Sequence, residues 1–289
     1  ILITGASGML GAALVKYFQQ KYDVYATSRS NFKNNISKKF LKFDLLENTY
    51  ERLFNWARPD LVIHAGAITD LDYAEENVDI THKINGESVK KFLSNTNNNP
   101  KIIFISTDAV FSDNAHMAKE SDLTQPHNVY GKSKEIGENY LLVAGKPHLA
   151  IRTTILGKNL NLKKIGFLEW MINSIKVGEK ITLFEDAIFT PITIWNLCDE
   201  LDWIIKNEIF GTVHISSNEV ISKYDLGIRI CERMGLDFSL INKGSIGDFS
   251  FKAKRSKDQS LNSENYFKLS RRKNISIDDV VDSVVKNFY

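Results

Sequence analysis

Apolar runs alternate with amphipathic stretches along the first half of the chain. It opens on ILIT, passes through the glycine-bearing GASGMLG, and continues with Leu10, Leu14 and Tyr17 at helical spacing. That pattern predicts a strand, a tight turn and a helix. Further strands are expected at residues 23–27, 39–43, 61–67, 101–106 and 148–153. Between them, NTYERLFNWA reads as a helix stopped by Pro59, and VDITHKINGESVKKFL as a helix released by SNTNNNP. A third helix is expected from about Asn128, through KSKEIGE to Leu142. The strands are apolar throughout rather than alternating, the mark of parallel strands covered on both faces. The expected fold is therefore α/β, a doubly wound parallel sheet of Rossmann-like type.

After Gly157 the rhythm loosens. Helices at FLEWMINSIKV, ITIWNLCDELDWII and KYDLGIRICERMG are separated by strand-like ITLF and TVHIS. Residues 1–157 are read as a dinucleotide-binding domain. Residues 158–289 are read as a smaller, mixed α/β substrate-binding region laid against it, with elements free to interleave.

Composition changes this picture little. The chain has 289 residues, 43% hydrophobic and 25% charged, and a net charge of +2, which makes no global case for nucleic acid or membrane binding. The segment 251–273 is locally basic, with eight Lys/Arg against Asp258 and Glu264, and is a candidate for an anionic ligand. Cys198 and Cys231 form no CxxC or Cys/His cluster, so no metal site is expected and a reducing cytoplasm fits. No stretch approaches the roughly 20 apolar residues of a membrane span, and no signal peptide is visible.

Candidate chemistry gathers where ligands bind such sheets, at the carboxyl ends of the strands. TGASGMLG places Gly5, Gly8 and Gly11, with Ser7, Met9 and Leu10, between a strand and a helix. Glycines there allow the tight turn and a close approach of the backbone to a pyrophosphate, and the helix terminus offers free N–H groups. Arg29 closes the second strand with no acidic residue beside it, which suits a 2′-phosphate and hence NADP, with NADPH preferred over NADH. Asp44, followed by Leu45, is placed to meet the adenine amino group or to cap the next helix. Ala65, Gly66 and Ala67 end the fourth strand in small residues. In NVYGKSKEIGE, Tyr130 and Lys134 stand four apart and share a helix face. On spacing alone a solvent-facing pair is the ordinary account.

The motifs TGASGMLG, VIHAGAITDLDYAEEN, INGESVKKF, ISTDAVF, HNVYGKSKEIGE, AIRTTILG and GTVHISSNEVISKYDL follow one another in an order that resembles the extended short-chain dehydrogenase/reductases. Within them the likeness is to the dTDP-4-dehydrorhamnose reductase group, and it runs over nearly the whole chain. It implies reduction of the keto group of a 4-keto-6-deoxy sugar nucleotide by NADPH, in surface-polysaccharide sugar synthesis. It further implies a nucleotide-diphosphate sugar as partner and is compatible with a homodimer.

The same resemblance assigns roles. Tyr130 would give a proton to the carbonyl oxygen, with Lys134 lowering its pKa, and both would meet the cofactor, Lys134 at the nicotinamide ribose. Thr107 would help bind that oxygen, and Asn85 would help organise a proton-relay water. Asp108, Ala109, Ile155 and Arg255 would meet the substrate, Arg255 at the pyrophosphate. Ala109 and Ile155 stand where the rhamnose-pathway reductases commonly carry aromatics, so the sugar is expected to differ. Two rivals remain at this point: a sugar-nucleotide C4 epimerase with tightly held NAD, and a non-catalytic NADP-binding regulatory subunit.

Overall fold

The computed structural model describes residues 1–30, 37, 39–94, 99–113, 115–160 and 165–288. Strand β1 (Leu2–Thr4) leads into α1 (Met9–Phe18), then β2 (Tyr25–Ser28), β3 (Phe40–Lys42), α2 (Glu51–Ala57) and β4 (Leu61–His64). Arg58, in the left-handed conformation ahead of Pro59, ends α2 as expected. Next come α3 (Leu71–Glu76), α4 (Val78–His82), a π-helical turn (Lys83–Glu87) and α5 (Ser88–Leu93). The single helix expected over 78–93 thus carries a one-turn π segment centred on Asn85. Strand β5 (Lys101–Ile105), a 3₁₀ turn (Asp108–Val110), α6 (Val129–Ala144) and β6 (Leu149–Arg152) complete the regular part.

The remainder adds β7 (Ile155–Leu156), α7 (Phe167–Lys176), β8 (Ile181–Phe184), β9 (Ile188–Phe189), β10 (Ile192–Thr193), α8 (Ile194–Ile205) and β11 (Gly211–His214). Beyond these lie β12 (Ile221–Ser222), α9 (Lys223–Met234), β13 (Ile241–Gly244), β14 (Asp258–Gln259), α10 (Glu264–Ser270) and α11 (Ile277–Phe288).

Seven strands form one parallel sheet in the order β11-β6-β5-β4-β1-β2-β3. Read from β3, this is the doubly wound order, and it reverses direction between β1 and β4. Strand β11, within the TVHIS piece, is supplied by the later part of the chain and extends the sheet beyond β6.

The apolar runs are explained by the two faces. Ile3, Ile63, Ile103 and Leu149 lie in register across four strands and pack in one core with α1, α7 and α8. Leu2, Val62 and Ile102 point the other way, into a second core with Phe54, Phe92 and Leu141. Successive side chains of a strand face opposite ways, so a strand buried on both faces has no polar side to show. Among the described residues no helix is long and apolar enough to cross a membrane.

Candidate active site

The crevice opens where the strand order reverses, and glycine geometry shapes it. Gly5 has φ +69°, and a Cβ there would stand 2.7 Å from the Gly66 backbone at the end of β4. A Cβ on Gly11 would lie 2.1 Å from the Gly5 carbonyl oxygen, so α1 can approach the turn only as glycine allows. Gly8 is the N-cap of α1. No side chain caps the helix and no acidic residue sits in its first turn. The first-turn N–H groups, those of Met9 and Leu10 among them, therefore face the crevice without a competing side-chain acceptor. This cradle fits a dinucleotide pyrophosphate.

The Ser7 and Ser30 hydroxyls lie 3.5 Å apart, which ties the glycine turn to the end of β2 beside Arg29. Arg29 is exposed, and among the described residues no carboxylate pairs with it. Asp44 accepts from the Leu46 N–H at 3.0 Å and so caps its own turn, while α2 begins seven residues later without a side-chain cap. Leu45 packs against Gly66, where an added Cβ would meet its Cδ1 at 3.0 Å.

Beneath the crevice a chain of buried hydrogen bonds joins β1, β4 and the π turn. The Gly66 N–H donates to Thr4 Oγ1 at 3.0 Å, Thr4 Oγ1 meets His64 Nδ1 at 2.7 Å, and His64 Nε2 meets Ser88 Oγ at 2.8 Å. Ser88 spends its own proton on the Ile84 carbonyl at 2.7 Å. Each donor can be used once, so His64 carries its proton on Nε2 and accepts from Thr4 at Nδ1. Burial, reinforced by Lys134, pushes the imidazole down to about 3, so it stays neutral. Sequence reasoning passed over His64; its polar ring inside the apolar LVIHAGA run was the available signal.

Helix α6 begins at Val129 with Asn128 as N-cap, its Oδ1 accepting from Gly131 N–H at 2.8 Å. Tyr130 and Lys134 therefore sit on one face of the first turns, as the spacing implied. Gly131 is required here because a Cβ would stand 2.1 Å from the Ala109 carbonyl. That close approach brings the Tyr130 phenol into hydrogen-bonding contact with Thr107. Lys134 is 2% exposed, with its ammonium 3.9 Å from the centroid of Phe104.

The expected lowering of the phenol pKa by Lys134 is not what the site does. Burial pushes Tyr130 up to about 12, opposed by the Thr107 hydroxyl and reinforced by the Asp108 charge. Burial also draws Lys134 down to about 7, against the pull of Glu138. Desolvation sets both shifts, and Lys134 is not among the groups acting on the phenol.

A stability prediction follows from Lys134. Its folded pKa lies below the usual lysine value of 10.5, so between pH 7 and 10.5 the unfolded chain binds the extra proton. Stability should then rise with pH across that window, by about 1.4 kcal/mol per pH unit for a single group. In the cofactor-free protein Lys134→Met should remove this rise, stabilising most below pH 7. Parallel denaturation curves for the two proteins at pH 6 and pH 9 would show the reading to be wrong.

Asn85 is fully buried. Its Oδ1 accepts from Ile68 N–H at 2.8 Å, and its Nδ2 donates to the Ile68 carbonyl and to Ser133 Oγ, each at 2.9 Å. Both amide protons are thus spent on holding the loop after β4 against α6. One Oδ1 lone pair remains for a water.

Asp108 is buried too. It accepts from Thr107 at 2.8 Å, from Thr154, and from Gln259 at 3.5 Å, while burial raises its pKa. The side chain expected at a sugar hydroxyl is thus held by three protein donors. Ala109 is buried, and Ile155 is partly buried against the main core. Arg255 is drawn to α3 instead of standing free, with Nη2 3.0 Å from Asp72 Oδ1.

Below α6 lies an ion pair that the motifs did not reveal. Arg152 Nη2 donates to Glu138 Oε2 at 2.7 Å, and Ser106 Oγ donates to Glu138 Oε1 at 2.5 Å, all three side chains being buried. A charged residue inside the apolar run LAIR was the sequence signal for it.

The RmlD substrate binding domain model matches residues 1–289. The chain belongs to the RmlD substrate-binding family. Its membership, with the Rossmann-like sheet, makes it an oxidoreductase of the extended short-chain dehydrogenase/reductase type. The probable low-salt glycan biosynthesis reductase Agl14 of Haloferax volcanii is 27% identical over 271 residues, covering 91% of this chain and 89% of that one. The dTDP-4-dehydrorhamnose reductase of Aggregatibacter actinomycetemcomitans is 27% identical over 277 residues, covering 90% of each. In fold, the chain matches the dTDP-4-dehydrorhamnose reductase of Bacillus anthracis in complex with NADP, with a TM-score of 0.85, 24% identity, and 99% and 97% of the two chains covered.

Proposed function

We propose that this RmlD-family protein reduces the keto group of a 4-keto-6-deoxy sugar nucleotide with NADPH, in the synthesis of a glycan or surface-polysaccharide sugar. The observation that carries this reading is the Thr107–Tyr130 contact at the carboxyl end of β5, with Lys134 one turn further along the same helix face. The relatives named as reductases of glycan biosynthesis and of dTDP-4-dehydrorhamnose support the substrate class.

NADPH, when bound, supplies the hydride. The cradle of Gly5, Ser7, Gly8, Met9, Leu10 and Gly11 holds its pyrophosphate, Arg29 its 2′-phosphate, Asp44 and Leu45 the adenine side, and Ala65, Gly66 and Ala67 line the path between them. Lys134 holds the nicotinamide ribose.

Thr107 and Tyr130 share the substrate's carbonyl oxygen. At neutral pH a phenol with its pKa near 12 is protonated, which is the form a reduction needs at the outset. As negative charge develops on the carbonyl oxygen, Thr107 turns its one hydroxyl proton from Asp108 to that oxygen and Tyr130 transfers its own proton. Asn85 acts as a positioning residue through Ser133 and Ile68. The region after Gly157 closes the sugar side, with Arg255 at the diphosphate. Ala109 and Ile155, smaller than the aromatics common in the rhamnose-pathway reductases, suit a nucleotide-linked ketohexose other than the rhamnose precursor.

A panel of keto-sugar nucleotides, followed at the nicotinamide absorbance band, tests the reading. NADPH consumption with none of them would count against it. Cofactor choice has its own test in Arg29→Ala. A charge-assisted contact to the 2′-phosphate is worth ~1.5–3 kcal/mol, or roughly 10- to 100-fold in binding. The variant should lose NADPH affinity by that factor and keep its NADH affinity. Equal losses for the two cofactors would remove Arg29 from the phosphate.

A further inference from the structure

Two cations on the substrate side of the cleft have donors left unused. Arg255 spends Nη2 on Asp72 and lays its guanidinium 4.9 Å over the Phe251 ring, but its Nη1 is buried with no hydrogen-bond partner. Lys223 is the first residue of α9. Its backbone there is fixed by the Ser222 cap and by a 3.0 Å bond from its N–H to the Ala187 carbonyl.

The Lys223 side chain is partly buried, and among the described residues neither a hydrogen bond nor an ion pair holds its ammonium. It feels two groups from other elements: the Asp108 carboxylate, which favours its charge, and the Arg255 guanidinium, which opposes it. Asp108 does not neutralise it by contact, since that carboxylate is taken up by Thr107, Thr154 and Gln259. Strand β9 pairs with β12 on one side and β14 on the other, setting Ser222 and Asp258 both opposite Ile188. Gln259 of β14 reaches Asp108, so the start of α9 lies on the Asp108 and Arg255 side of the cleft. Asp72 answers the Arg255 charge through Nη2 alone, and Lys223 has no anion in contact, which is costly for a cation held partly out of water.

We propose that Lys223 is the second cation of the substrate's diphosphate site, meeting the sugar-side phosphoryl oxygens while Arg255 takes the nucleoside side through Nη1. The inference rests on the sugar-nucleotide reading above. It adds a residue that sets substrate affinity and that the motifs of the chain did not single out. A planar guanidinium and a compact ammonium are complementary here, the first fixing orientation and the second supplying a point charge. Its place on the same side of the cleft as Arg255, with Asp108 linked to it through β14, suits a sugar nucleotide whose carbonyl lies at Thr107 and whose diphosphate lies at Arg255.

The test is calorimetric titration of the NADP-loaded protein with dTDP and UDP and with their nucleosides, and of the cofactor-free protein with NADPH, for wild type, Lys223→Met and Lys223→Arg. Loss of one charge-assisted contact should weaken the diphosphates roughly 10- to 100-fold in Lys223→Met. The nucleosides and NADPH should be hardly affected, and Lys223→Arg should recover most of the loss. Diphosphate binding unchanged in Lys223→Met would remove Lys223 from the site while leaving the proposed reaction standing. Equal losses for diphosphate, nucleoside and NADPH would make the residue structural and overturn the inference. A wild-type protein that binds NADPH but neither dTDP nor UDP would overturn the sugar-nucleotide reading, and this inference with it.

Discussion

Phenylalanine in place of Tyr130 is expected to slow the chemical step by about 10²–10⁴, the usual contribution of general acid catalysis, while leaving cofactor affinity unchanged. The separation of the two effects comes from the geometry. The ring is fixed in the first turn of α6 by the Asn128 cap and by the close packing of Gly131 on the Ala109 carbonyl, neither of which involves the hydroxyl. Only the contact with Thr107 and the proton itself are lost. Burial keeps the wild-type phenol protonated with its pKa near 12, so the proton is in place before the substrate arrives. An alkoxide is a much stronger base than a phenolate, so transfer to the reduced carbonyl is downhill despite the raised pKa. The measurement is single-turnover hydride transfer from bound NADPH, alongside the dissociation constant of NADPH. Near-normal turnover in Tyr130→Phe would sink the assignment of the acid, and the role of Thr107 beside it.

What could be read in the sequence was local or periodic. Apolar runs alternating with helices gave away the parallel sheet, because a strand buried on both faces has no polar side. Tyr130 and Lys134 could be paired because four residues make one helical turn. The family motifs then brought Thr107 to them across more than 20 positions, which spacing alone could not do. Contacts between distant elements were illegible for the same reason. Nothing near Lys223 announces that β9 sets the start of α9 across from β14, and nothing near Asp72 announces Arg255. The π turn at Asn85 also escaped: Asn and Gly in KINGE are poor helix formers, but composition does not tell where a turn widens or that Asn85 is tied there to Ile68 and Ser133. The direction of the Tyr130 shift was misjudged on a physical point. The spacing puts two residues on one helix face but reports neither how deep they lie nor whether their polar ends interact. In this site burial leads the shift, with Thr107 and Asp108 behind it.

Burial also decides what happens when the ion pair under the site is broken. Glu138→Ala is expected to destabilise the protein by about 3–5 kcal/mol, because it strands a buried guanidinium. Arg152 is 6% exposed, and its other polar neighbour is His214 Nε2 at 3.4 Å. That imidazole donates through Nδ1 to the Ala118 carbonyl and is held neutral by burial and by Arg152 itself, so it offers no countercharge. Ser106, next to Thr107, loses its acceptor in the same step. The cost therefore belongs to the uncompensated charge and not to the net worth of the pair. Replacing both partners, as Glu138→Met with Arg152→Met, should recover much of the loss, since apolar side chains of similar length need no partner. Urea denaturation of the wild type, the single variant and the double variant separates the two contributions. A single variant that unfolds at the wild-type urea concentration would show that Arg152 finds another anion or water. A double variant no more stable than the single one would instead place the loss in packing between α6 and β6.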